Sequence, residues 1–264
     1  MAASFPLYLA LAFYLAGTLT VLGSLTLAAP RFQRLALAFM ALGFVAHTVW
    51  IGVICTKTGH PPLTNLPESV SFIAWTILAV KLALWMRYRV DAAAFFLYPL
   101  VFLLLGLSAV VQERFTPLDP ELRSNIFIAH LLLTSLGVAA LLVATGFTIL
   151  YQIQERAIRQ KTRGALWAWI PSLKACDVVS FRSLTIGFSI YTLGILAGIL
   201  WSYRTSLELR TPGIKEAGAF VAWVLFAVLL QSYLSGNYRT PRNLGIAAAA
   251  FVAIIVSLLG IEHV

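Results

Sequence analysis

The chain has 264 residues, of which 60% are hydrophobic and 11% charged, and its mean hydropathy of +0.89 excludes an ordinary soluble domain. Its net charge of +9 sits in short loops beside long apolar runs, which is the pattern of a multi-pass membrane protein and excludes nucleic acid as a partner. Lipid offers no water to an unpaired peptide group, and these runs are too long for barrel strands, so the expected fold is all-α, a helical bundle in the membrane.

Eight apolar segments follow in order, at about 5–28, 33–55, 69–86, 93–112, 127–151, 182–202, 216–234 and 243–261. Each is read as a transmembrane helix. The first is read as a span and not as a cleaved signal, because residues 1–4 contain no Lys or Arg and the run from Phe5 to Ala29 is too long for a signal core. Pro30, Pro61, Pro62, Pro117, Pro120, Pro171, Pro212 and Pro241 are expected between the spans, where a missing backbone donor does no harm. No repeat or low-complexity stretch stands out, and residues 1–264 read as one membrane domain.

Alternate loops differ in basic residues: the first, third, fifth and seventh carry twelve Lys and Arg, and the second, fourth and sixth carry six. The positive-inside rule makes the odd loops cytoplasmic and sends both termini to the outer, periplasmic side of a bacterial inner membrane. In that orientation His47, His60, His130 and His263 all fall in the outer half, together with the polar loop between Trp201 and Trp223. The long inner loop from Gln152 to Ser183 carries Trp167 and Trp169 and reads as an interfacial segment. Cys55 and Cys176 fall on opposite faces, and no CxxC is present.

Among residues able to carry chemistry, the histidines come first, since an ionisable group inside a span is a functional candidate. His130 and His263, at similar depth, form a candidate axial pair for haem iron, with His47 as a deeper candidate. The alternative for each is a helix-end or interhelical hydrogen bond. Arg204, Arg210 and Lys215 are candidate contacts for haem propionates or lipid headgroups, or simply solvated loop charges. Glu216, at the start of a helix, complements the helix dipole. Lys81 is expected to extend its ammonium to the interface. No Ser-His-Asp order, paired carboxylate, phosphate-binding Gly loop or HExxH is present, so no catalytic residue is assigned.

Three stretches resemble one family. Residues 62–75 (PLTNLPESVSFIAW) resemble a P-x-[ST]-N-L-x-E-S-L-x-F-x-[AS]-W signature, residues 180–201 resemble its Gly-rich helix ending in Trp, and residues 128–137 resemble the segment with its first external histidine. The chain is thus identified as similar to the cytochrome c assembly family, the CcsA-like proteins. The resemblance implies a helical bundle that presents haem on its outer face, held by two external histidines and a Trp-rich loop. His130 and His263 take the positions of those histidines. Trp201, Lys215, Glu216 and Trp223 match the frame of the loop, while Ser206, Arg210 and Pro212 replace its central tryptophans and Gly213 its aspartate. Gln231 stands where the family has a membrane histidine. This pattern is similar to the HemX and YpjD branch.

The expected function is therefore a haem-binding or haem-handling membrane protein of cytochrome c assembly or haem metabolism. It carries a non-covalent, b-type haem near the outer face and works with lipid and with other membrane or periplasmic assembly proteins. The competing expectation is a structural or regulatory subunit that keeps the bundle and binds no haem. A transporter is disfavoured, because no span shows a Gly/Pro break at its middle with polar residues around it.

Overall fold

The computed structural model describes residues 4–27, 30–59, 62, 65–88, 93–111, 124–161, 172–206, 213–236 and 241–259. They form eight helices: α1 (Phe5–Leu27), α2 (Pro30–Thr58), α3 (Leu66–Tyr88), α4 (Ala94–Val110), α5 (Asn125–Arg159), α6 (Leu173–Ser206), α7 (Ile214–Leu234) and α8 (Pro241–Leu259). Six are long and apolar enough to cross a membrane by length and composition, and α4 and α8 are shorter apolar helices. Each apolar segment read from the sequence corresponds to one of them.

The ends are set by local chemistry. Asn65 accepts from the Glu68 amide through its side chain at 2.9 Å, and the Ser124 hydroxyl accepts from the Phe127 amide at 3.1 Å, so α3 and α5 each begin on a capped turn. Pro30 and Pro241 were expected outside the helices, yet each is the first residue of one. At that position the missing N–H has no intrahelical acceptor to lose and the fixed φ suits the helix. At the far end of α5, Glu155 and Arg159 form an i,i+4 ion pair at 2.8 Å.

Consecutive helices run antiparallel, and the closest pair is α5 with α6. A Cβ at Gly137 would lie 2.7 Å from the Tyr191 backbone, one at Gly194 2.7 Å from Thr134, and one at Gly198 2.7 Å from the His130 ring. In lipid no hydrophobic force drives helices together, so such small-residue contacts supply much of the association. A hydroxyl chain reinforces the other end of the pair: Tyr233 donates to Ser180 at 2.8 Å, Ser180 pairs with Thr148 at 2.7 Å, and Ser180 also donates to the Ala144 carbonyl. Interhelical bonds of this kind contribute only about 0.6 kcal/mol each, so packing dominates.

Contrary to the sequence expectation, the chain contains an internal repeat. Trp75 stacks on Phe44 and Phe72 and donates to Thr48 at 2.9 Å, while Trp223 stacks on Phe188 and Phe220 and donates to Thr192 at 2.9 Å. His47 bonds Ser71, and at the matching positions Tyr191 bonds the Ala219 carbonyl. Helix α3 and helix α7 share Glu68/Glu216, Phe72/Phe220, Ala74/Ala222, Trp75/Trp223, Ala79/Ala227, Val80/Val228 and Leu82/Leu230 without a gap. Within each half the packing is the same: first helix on second, second on third, third on fourth, and fourth back on first. The halves α1–α4 and α5–α8 are thus two copies of one four-helix unit, joined chiefly by α3 against α5. Lipid-facing positions are interchangeable among apolar residues, so the repeat leaves only a few identities in the sequence.

The glycine contacts give a direct test of the α5–α6 pair. Gly137→Ala forces backbone apart and should cost about 1–3 kcal/mol, read as a lowered melting temperature in detergent. Gly52→Ala, with nothing within 4 Å of the added carbon, should leave it unchanged.

Candidate functional site

His130 lies on the second turn of α5, just after the Ser124 cap, and its ring is half-buried against α6. Gly198 makes room for the ring, since any Cβ there would lie 2.7 Å from both Cε1 and Nδ1. Nδ1 lies 2.7 Å from the Gly194 carbonyl, which can only accept, so Nδ1 carries the proton and Nε2 is the nitrogen that bears the lone pair. A turn towards the helix end, Trp201 packs on Phe127 with ring centroids 4.8 Å apart. Arg204 follows, exposed in the last turn of α6, where its charge complements the dipole. His130, Trp201 and Arg204 therefore share one end of the bundle.

Helix α7 starts at that same end. The Glu216 carboxylate accepts from the Gly213 amide at 2.9 Å and so caps its own helix, as the dipole argument expected. Of the other sequence candidates, His263, Arg210 and His60 lie outside the described residues, as do Trp167 and Trp169. Sequence reasoning missed Gly194 and Gly198. Their GxxxG spacing was the available signal, since it marks a helix face built for close approach.

His47 belongs to a different cluster. It is fully buried between the first three helices, with Nε2 2.8 Å from the Ser71 hydroxyl and Nδ1 3.2 Å from the Tyr14 hydroxyl. Both ring nitrogens are therefore engaged, and coordination there would require breaking one of these bonds. Lys81 also differs from expectation. It does not reach an interface but is buried, donating to the Tyr98 hydroxyl with its ammonium 4.7 Å from that ring's centroid. An aromatic face and a phenol oxygen replace part of the hydration that snorkelling would have kept. Neither Cys55 nor Cys176 is in a disulfide, and among the described residues no group of three or more His, Cys, Asp or Glu is arranged to hold a metal ion.

The family of cytochrome C assembly proteins matches residues 63–264, more than half of the chain. The chain belongs to the cytochrome c assembly protein family. Relatives include the cytochrome c biogenesis protein CcsA of Guillardia theta, 24% identical over 84% of this chain and 80% of its own length, and that of Chlorella vulgaris, 28% identical over 78% and 75%. Protein HemX of Bacillus subtilis (strain 168) is 24% identical over 75% of this chain and 72% of its own. Among solved structures, the cytochrome c haem lyase CcmF superposes with a TM-score of 0.77 at 18% identity. That match covers 98% of this chain but only 46% of CcmF, and it establishes a shared fold. This member of the cytochrome c assembly family is a multi-pass membrane protein.

The role of His47 can be separated from that of His130 by stability. His47→Ala leaves two buried hydroxyls without their partner, at about 1–3 kcal/mol each. We expect a marked fall in melting temperature, with Tyr14→Phe combined with Ser71→Ala recovering part of it. An unchanged melting temperature in His47→Ala would contradict the bridging role.

Proposed function

We propose that this protein binds haem non-covalently at the bundle end formed by His130, Trp201 and Arg204, and handles it for cytochrome c assembly or haem metabolism. The observation that carries this reading is the fixed imidazole of His130. Its Nδ1 proton is directed at the Gly194 carbonyl and Gly198 packs under the ring, an orientation that makes Nε2 the nitrogen that would meet the iron. Ligating histidines are held in this way by the partner of their second nitrogen.

In the proposal the whole chain acts as one membrane domain with both termini and the His130 end facing outward, in the inner membrane of a bacterium. His263 would be the second histidine to hold the haem, and Arg204 and Arg210 would pair with its propionates. His47 stays outside the ligand set, because both its nitrogens already have partners. Haem, when bound, would supply a redox-active iron, and the chain's residues would orient it and keep it at the surface. The substitutions at Ser206, Arg210, Pro212 and Gly213 support placement near HemX, and partners would be other membrane or periplasmic assembly proteins. No residue of the chain is assigned a catalytic role.

A second reading has one observation in its favour. Gln231 stands where the resemblance expects a membrane histidine, and it is exposed on α7. Loss of that position favours a structural subunit that keeps the bundle without a cofactor.

Protein purified in mild detergent from cells supplied with haem precursor should show a Soret band. His130→Ala should abolish or blue-shift the band, while His47→Ala should keep it at equal occupancy of folded protein. Gly198→Ala should weaken haem retention by about tenfold, as loss of an outer-shell support does. A colourless wild type that also binds no added haem would favour the structural reading.

A further inference from the structure

The repeat exposes an interface that the single chain leaves half-made. Inside the chain, α3 receives α5. The repeat-related contact would be α7 receiving α1, and those two helices make no comparable packing. The surfaces confirm which faces are involved. On α3, Ile73 and Thr76 are each 4% exposed, whereas their counterparts on α7, Val221 and Val224, are 49% and 38% exposed. On α5, Ser135 and Leu142 are 7% and 3% exposed, whereas their counterparts on α1, Tyr8 and Leu15, are 54% and 40% exposed.

The pairing of α1 with α5 rests on packing. Gly43 meets Phe13 and Tyr14 on α1, and the matching Gly187 meets Ala140 and Leu141 on α5. Continuing that register, the face Tyr8, Ala12, Leu15, Leu19 on α1 is the counterpart of Ser135, Ala139, Leu142, Gly146 on α5. The four α5 residues are buried, and the four α1 residues are exposed. Their spacing of i, i+4, i+7, i+11 makes each set one continuous stripe.

We propose that these two faces are the open sides of the α3–α5 seam and that a second copy of this chain closes them, with α1 of one copy docking on α7 of the next. A second copy is the occupant that the molecule itself specifies. The α7 face is shaped for a helix of the α1/α5 type, the α1 face for one of the α3/α7 type, and both types are present in every chain. The contact is heterologous, because the two faces differ. All repeats of the unit run in the same direction through the bilayer, so successive units are related by rotation about the membrane normal, and the smallest closed assembly is a dimer in which α1 and α7 of each copy meet those of the other. Lipid alone can also cover an apolar face, but α1 brings Ala12 and Ala16 to this side of the helix, and small residues favour helix over lipid by allowing backbone approach.

The register gives the cross-link. Leu84 on α3 and Phe147 on α5 line one small cavity of the internal seam, together with Lys81 and Val143. Their counterparts are Ser232 on α7 and Thr20 on α1. In a background of Cys55→Ser and Cys176→Ala, Thr20→Cys and Ser232→Cys should form a disulfide between chains when isolated membranes are treated with copper phenanthroline as oxidant, both in the double variant and when the two single variants are co-expressed. Leu103→Cys with Leu193→Cys, two exposed positions off the seam, should give none. Light scattering of the unmodified protein in mild detergent should give a polypeptide mass of at least twice 28.9 kDa. A wild-type mass of one chain, equal cross-linking by the control pair, or cross-links only to another protein would each overturn the proposal. The light-scattering arm needs no variant to fold, and none of these readouts depends on haem.

Discussion

The close approach of α5 and α6 is the constraint on which the rest of this structure depends. Glycines at 137, 187 and 194 let two backbones meet where a side chain would hold them apart, and Gly198 meets the His130 ring. The close approach at Gly194 brings its carbonyl within reach of the His130 ring, and Gly198, one turn on, leaves the space that the ring occupies. The packing of the helix pair and the orientation of the His130 imidazole thus depend on one stretch of helix. In lipid, where burial of apolar surface gives no advantage between helices, that economy follows from the physics: close contacts are what hold the bundle, so a site built on the closest contact is also the most rigid.

Duplication of a four-helix unit gives the bundle its frame and also shows where the halves have diverged. Both halves keep the Trp–Phe–Phe stack with its threonine acceptor, which fixes the second helix of each unit on the third. Around that shared clasp the polar groups differ. The first half buries a Tyr14–His47–Ser71 bridge and a Lys81–Tyr98 pair, where the second half has Tyr191 on a backbone carbonyl and Leu229. The second half instead carries His130 and the loop framed by Trp201 and Trp223. One copy has become a polar-stapled support and the other bears the candidate site.

Much of this was legible in the sequence, for identifiable reasons. Runs of apolar residues longer than any soluble core helix gave eight helices, and the stretch around residues 62–75, the Gly-rich helix ending at Trp201 and the segment around His130 pointed to the family. Single residues were harder. Lys81 was assigned to an interface because its distance from the helix end allowed it, but the choice between water and a phenol depends on Tyr98, a residue on another helix. Pro30 and Pro241 were placed outside helices because proline breaks an interior turn, and they instead start helices where that penalty vanishes. The repeat was hidden because its identities concentrate in α3 and α7, while the other helices keep it through contacts. The partners of His130 lie on α6, and only the GxxxG spacing of Gly194 and Gly198 hinted at them.

The central claim is that the His130 imidazole, locked by Gly194 and Gly198, is an axial ligand of haem. Electron paramagnetic resonance of the oxidised, haem-loaded protein tests it most directly. The account predicts a low-spin signal from two imidazoles in the wild type that converts to a high-spin signal in His130→Ala, with His47→Ala retaining the low-spin form. An unaltered low-spin signal in folded His130→Ala would contradict it.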